Sequence, residues 1–200
     1  MRTGGNLKRI LLSSCPLCEN NSDGRPLPGA LPENPVWAPA SLAPLLNALK
    51  SIGFLGAERS AGLYSAGPEY LGLVTYLGCS PQIALGENEA ATTIRIAGIF
   101  DAPRFVQGAA LKPPRCPQCR KTLDKPAAPV EAGENLRCNH CGHGGNACDF
   151  DWRSSAACGR VFIEISNVFE SEAVPGEALA DCLREASGEA WDCCYVRKAG

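Results

Sequence analysis

"GRVFIEI", residues 159–165, is the stretch on which the fold turns. Valine, phenylalanine and isoleucine alternate there around one glutamate, which predicts a strand by composition and alternation. Working outward, "WDCCYVRK" at residues 191–198 predicts a C-terminal strand, and Pro175 opens a helix that carries Ala178, Leu179, Cys182, Leu183 and Ala186 on one side and ends near Gly188. Towards the N-terminus, residues 7–13 read as a short strand. Ser41 sits at an N-cap position before Leu42, Leu45, Leu46, Leu49 and Ile52, whose spacing predicts a helix stopped by Gly53. Residues 70–77 are apolar on both alternating sets and predict a strand buried on both faces. Residues 92–99 predict a second strand, joined to it as a hairpin neighbour through a turn at 86–91, and residues 105–107 a third, shorter one. Strands that arrive without regular intervening helices imply an α+β fold with a largely antiparallel sheet and two main helices.

The composition supports a folded chain. Of 200 residues, 45% are hydrophobic and 20% charged, a balance typical of globular proteins. A chain of this size buries roughly 70% of its unfolded surface and needs no staples to form a core. The net charge of −2 argues against a surface built throughout for phosphate backbones. Charge is unevenly spread, however: residues 112–143 hold six basic and three acidic side chains, and residues 161–200 hold three basic and eight acidic ones. Ile10, Leu11 and Leu12 make an apolar run too short for a secretory leader, and no stretch approaches the roughly 20 apolar residues of a membrane span. The expectation is a cytoplasmic protein whose thiols are mostly reduced, and twelve cysteines then suggest metal before disulfides.

Four of those cysteines form two matched pairs. Cys116 and Cys119 in "RCPQC" and Cys138 and Cys141 in "RCNHCG" each enclose two residues, with eighteen residues between the pairs. A two-residue spacing lets a tight turn aim both sulfurs at one point while backbone N–H groups hydrogen-bond the thiolates, and two such turns complete a tetrahedron. Pro117 preorganises the first turn; Gly142 lets the chain leave the second. The alternative is two disulfides or idle thiols, which an oxidising compartment would favour. Over residues 112–145 this arrangement resembles the zinc-ribbon group. The resemblance implies one structural Zn2+ on Cys116, Cys119, Cys138 and Cys141, in a four-cysteine module inserted into an α+β domain made of residues 1–111 and 146–200. Pro126 and Pro129 speak against a long regular hairpin between the pairs. His140 and His143 flank the second pair, where four cysteines already satisfy a metal, so their expected role is peripheral.

Other cysteines leave more open. Cys15 and Cys18 form a third two-residue pair; the readings are a redox motif, half of a second metal site with Cys148 and Cys158, or an inert turn. The proline-rich "ENNSDGRPLPG" that follows does not supply the helix a redox motif needs. Cys79 lacks an independent histidine to activate it and reads as a turn or core residue. Cys182 reads as core, and Cys193 and Cys194 should face opposite sides of their strand. Trp152 should anchor its loop.

No catalytic residues are assigned, and whether the chain is an enzyme stays open, with the balance towards not. The expected function is a noncatalytic zinc-binding protein with a protein-interaction or adaptor role and no membrane association. Two alternatives remain: thiol-redox or metal-handling chemistry at Cys15 and Cys18, and nucleic-acid binding through the basic module. The latter would rest on phosphate contacts, because residues 112–143 contain no Phe, Tyr or Trp for base stacking.

Overall fold

The computed structural model describes residues 8–14, 37–77, 85, 91–108, 110–124, 133–168 and 173–197. In chain order its elements are β1 (Lys8–Ser14), α1 (Ala43–Ser51), β2 (Leu55–Ser60), β3 (Leu63–Ala66), α2 (Tyr70–Leu73), β4 (Val74–Tyr76), β5 (Thr93–Gly98), β6 (Arg104–Gln107), β7 (Asn135–Arg137), β8 (Gly144–Asn146), β9 (Ala156–Gly159), β10 (Val161–Val168), β11 (Ala173–Pro175), α3 (Glu177–Ser187) and β12 (Trp191–Arg197). The class is α+β. Six strands form one antiparallel sheet in the order β12-β1-β10-β5-β3-β2, and β11-β4, β6-β9 and β7-β8 make smaller two-stranded pieces.

The residues of β10 set the layers. Val161, Ile163 and Ile165 are buried in the main core with Leu45 and Leu49 of α1 and Leu179 and Leu183 of α3. Phe162 points the other way, into a smaller cluster with Ala157 of β9 and Cys194 of β12. This is the two-residue alternation of a strand covered on both sides. Asn167, at φ 60°, lies beside an extra residue in the β1–β10 register, where Lys8 pairs Val168 but Ile10 pairs Ile165. The bulge returns Val168 to the helix-covered face. Cys193 and Cys194 pack on opposite faces, as their adjacency on a strand requires.

Helix α1 starts one residue later than Ser41 implies, with Leu42 as its N-cap; the Ser41 hydroxyl accepts the Ala43 N–H at 3.1 Å, and Gly53 ends the helix at φ 71°. Three expectations need correction. Residues 70–77 are not one strand: Tyr70–Leu73 is a helical turn, and only Val74–Tyr76 is extended. Tyr70 and Leu73 are buried three residues apart while Leu71 between them is 49% exposed, so the apolar run follows a helical period before it becomes a strand. Nor is this strand the hairpin neighbour of β5. It pairs with β11, and β5 is flanked by β10 and β3; residues 86–90 of the expected turn lie outside the described residues. Finally, Pro175 ends β11 and Gly176 takes the N-cap of α3.

The β2–β3 hairpin, to which the sequence reading assigned nothing, turns at Gly62. There φ is 71° and the Ile96 carbonyl lies 2.9 Å from where a Cβ would stand. Glycine is required at such a position by both sterics and conformation.

Candidate metal centre

Each cysteine pair sits in a turn with its own backbone bonds. In the first, Arg120 N–H donates to the Cys116 carbonyl and Cys116 N–H to the Lys121 carbonyl, both at 2.9 Å. In the second, which caps the β7–β8 hairpin, Gly142 N–H donates to the Cys138 carbonyl at 3.0 Å and Cys138 N–H to the His143 carbonyl at 2.7 Å. The residue after each second cysteine is left-handed: Gly142 at φ 79° and Arg120 at φ 62°. Sequence reading identified that role for the glycine and missed it for the arginine.

Tertiary structure brings the two turns together. The Sγ atoms of Cys116, Cys119, Cys138 and Cys141 all lie within 4.8 Å of one another, with Cys116 to Cys141 at 3.7 Å and Cys119 to Cys138 at 3.6 Å. A disulfide needs about 2.05 Å. A regular tetrahedron of sulfurs around a metal at about 2.3 Å has edges of about 3.8 Å. The cluster therefore has the dimensions of a four-thiolate metal site and could hold a metal ion. Neither histidine enters it. His140 is exposed; the His143 ring lies 5.9 Å from that of Phe150, and its Nε2 has no hydrogen-bond partner among the described residues.

The electrostatics of the thiols favour a cation. Burial opposes ionisation of Cys138, but N–H groups of His140 and Cys141, with neighbouring thiols, outweigh it and bring its pKa down to about 6. For Cys141 the His143 N–H favours the thiolate, yet desolvation and three nearby sulfurs push the group up to about 12. Burial raises Cys116. Four sulfurs this close do not ionise together without a positive charge between them.

The cluster is sealed on one side and open on the other. Cys116 and Cys138 are buried with Leu123 and Phe150, and Cys119 and Leu136 pack around them. Cys141 is exposed beside Gln118, Asn139 and His140. Asn139 Nδ2 donates to Asp124 at 3.2 Å, tying the two turns at their outer edge. Phe150 carried no sequence signal for this role, lying nine residues beyond the last cysteine.

Beyond the turns, residues 147–155 seat the cluster on the sheet. Arg115 and Asp151 exchange backbone bonds at 2.8 and 3.1 Å, and Arg153 Nη2 donates to the Pro113 carbonyl at 2.6 Å. Trp152 anchors this loop as expected: its Nε1 donates to the Ala147 carbonyl at 2.7 Å, and its ring meets Phe105 edge-on at 4.8 Å. On the sheet side, Ser154 donates to Asp192 and Gly108 N–H donates to the Ser155 carbonyl.

Cys148 and Cys158 are bonded to each other as a disulfide, with Cα atoms 5.5 Å apart. Cys15, Cys18 and Cys79 lie outside the described residues. Cys182 is core in α3, its thiol raised by burial and then by Glu185. Cys193 and Cys194 are pushed up to about 11 and about 12, chiefly by burial, and neither has the character of an activated nucleophile. Among the described residues no helix is long and apolar enough to cross a membrane. Comparison with known protein families, with curated proteins and with solved structures gives no match.

Proposed function

We propose that Cys116, Cys119, Cys138 and Cys141 hold one structural Zn2+ and that the chain is a noncatalytic binding protein of adaptor type, acting in the cytoplasm on a protein partner. The observation that carries this reading is the pair of sulfur separations at 3.6 and 3.7 Å in a four-cysteine cluster. Four thiolates complete the coordination of zinc and leave no open position for water or substrate, which favours a structural over a catalytic ion. In this reading residues 112–145 form a ribbon-like insert in a domain built from 1–111 and 146–200. The exposed tip formed by Gln118, Asn139, His140 and Cys141 is the surface it presents to a partner.

Elemental analysis of protein purified without added metal tests this directly. One zinc per chain is expected, lost in Cys116→Ser and kept in Cys15→Ser and Cys182→Ser. A metal-free wild type overturns it, and two metals, or loss in Cys15→Ser, moves metal handling at the N-terminal pair to the front.

A second reading, nucleic-acid binding, is favoured by one observation. Lys112, Arg115, Arg120, Lys121 and Arg137 are all exposed, and none makes an ion pair among the described residues. Unpaired cations of this kind contact phosphates with a strong dependence on salt. Binding to single-stranded DNA that survives Arg120→Glu with Lys121→Glu would reject that reading.

A further inference from the structure

The Cys148–Cys158 bond lies outside the four-cysteine cluster, and its location gives it a meaning of its own. It closes an eleven-residue ring, residues 148–158, and nearly every anchor of the cysteine cluster lies inside that ring. Phe150 packs on Cys116 and Cys138; Asp151 pairs with Arg115; Arg153 holds the Pro113 carbonyl; Trp152 binds back to Ala147. One end of the ring, Cys148, sits in a short 3-10 turn that follows β8 directly and is capped by Asn146 and Asp149. The other, Cys158, is paired opposite Phe105 in the β6–β9 ribbon. The bond thus ties the base of the second cysteine turn to the sheet layer by a covalent path.

We propose that the Cys148–Cys158 bond is a redox-sensitive latch on the four-cysteine cluster: closed, it fixes the seat of the bound metal, and opened by a small-molecule thiol it lets that metal exchange. The latch rests on the metal reading of Cys116, Cys119, Cys138 and Cys141. Cys158 is half-buried and Cys148 only 9% exposed, so the incoming thiolate attacks Cys158 Sγ. The S–S bond breaks, Cys148 leaves as a thiolate and takes a proton from water, and a mixed disulfide forms on Cys158. A second thiol resolves it. Two electrons pass from two small thiols to the protein, leaving Cys148 and Cys158 as thiols and one small-molecule disulfide. Reoxidation by that disulfide runs the same steps backwards. Opening the ring restores conformational freedom to the residues that seat the cluster.

The test uses the full chain loaded with zinc and equilibrated in glutathione buffers of different oxidised-to-reduced ratio. Alkylation and intact mass report whether Cys148 and Cys158 are bonded, and transfer of zinc to a chelating dye reports exchange. Opening the bond is expected to speed zinc transfer about tenfold or more, in line with the loss of groups that support a metal site, and reoxidation should restore the slow rate. The double variant Cys148→Ala with Cys158→Ala should be fast in both buffers. Equal rates for the bonded and open wild type overturn the latch, as does alkylation of Cys148 and Cys158 in fully oxidised buffer. Wild-type reoxidation decides the matter even if the double variant does not fold. A chain that takes up no zinc refutes the metal reading alone; hydrogen exchange at the Cys116 and Cys138 amides, slowed only while the bond is closed, then decides the latch separately.

Discussion

Arg120 and Gly142 occupy equivalent places in two turns, and the chemistry of the α-carbon separates them. Both are left-handed, a conformation that costs a side-chain-bearing residue roughly 1–2 kcal/mol and glycine little. Gly142→Ala is therefore expected to lower stability by about 1 kcal/mol, although only the tip of Arg137 comes within 4.0 Å of the new methyl group. Arg120→Gly should leave the unfolding midpoint unchanged or raise it. A denaturant melt of the two variants checks both, and a marked loss for Arg120→Gly would show that its side chain matters more than its backbone. Asp192 gives a residue-scale expectation in pH. Burial pushes its carboxyl up, against the N–H of Cys193 and the Ser154 hydroxyl, and Asp151 adds to the rise. The folded chain thus holds this proton more tightly than the unfolded one. The stabilisation is fully present below the ordinary carboxylate range near pH 4 and is lost as pH rises through the elevated folded value. Asp192→Asn keeps the acceptor for Ser154 without the charge. It should be more stable than wild type at pH 7 and equal to it in acid; an equal loss at both pH values would contradict desolvation as the cause.

Among the elements, residues 70–77 show where a sequence period misleads. A continuous apolar run fits a doubly buried strand and a helical turn equally well, and only the identity of the exposed residue separates them. Leu71 is 49% exposed while Leu73 is 7% exposed. Leu71→Ala should change stability by less than about 0.5 kcal/mol, as surface changes do, and Leu73→Ala should cost about 2–5 kcal/mol. Equal costs, measured by urea unfolding, would restore the strand. The helices were more legible because their signals are local. Leu45, Leu49, Leu179 and Leu183 recur at helical spacing and are buried, and Gly53 and Gly188 stop their helices with positive φ. Strand partners were not legible: β4 meets β11 roughly a hundred residues away, at Ala173–Pro175, and nothing in either segment names the other.

For the whole molecule, the question is whether the cysteine-bearing segment and the sheet unfold together. The smaller cluster around Cys116, Cys138, Leu123 and Phe150 is distinct from the main core beneath α1 and α3. Leu136 touches both that cluster and the one around Trp152, and so joins the four cysteines to the loop that seats them. Removal of metal by a chelator is expected to expose the amides of residues 115–123 and 136–147 to hydrogen exchange while those of β1, β5 and β10 stay protected. Loss of protection in both regions at once would mean that one cooperative unit spans the chain and would overturn the division into domain and insert.

Features that depend on neighbours along the chain could be read from the residues alone: two turns that each aim a pair of sulfurs, two amphipathic helices, and the alternation of β10. Such features follow from local backbone geometry and side-chain period, which are written within a few residues. Long-range packing brings the two turns, eighteen residues apart, to sulfur separations of 3.6 and 3.7 Å. It alone placed Phe150 beneath them, bonded Cys148 to Cys158 and ordered the sheet as β12-β1-β10-β5-β3-β2. Those outcomes depend on which apolar faces bury each other best across the whole chain, and that is a property of the assembled core.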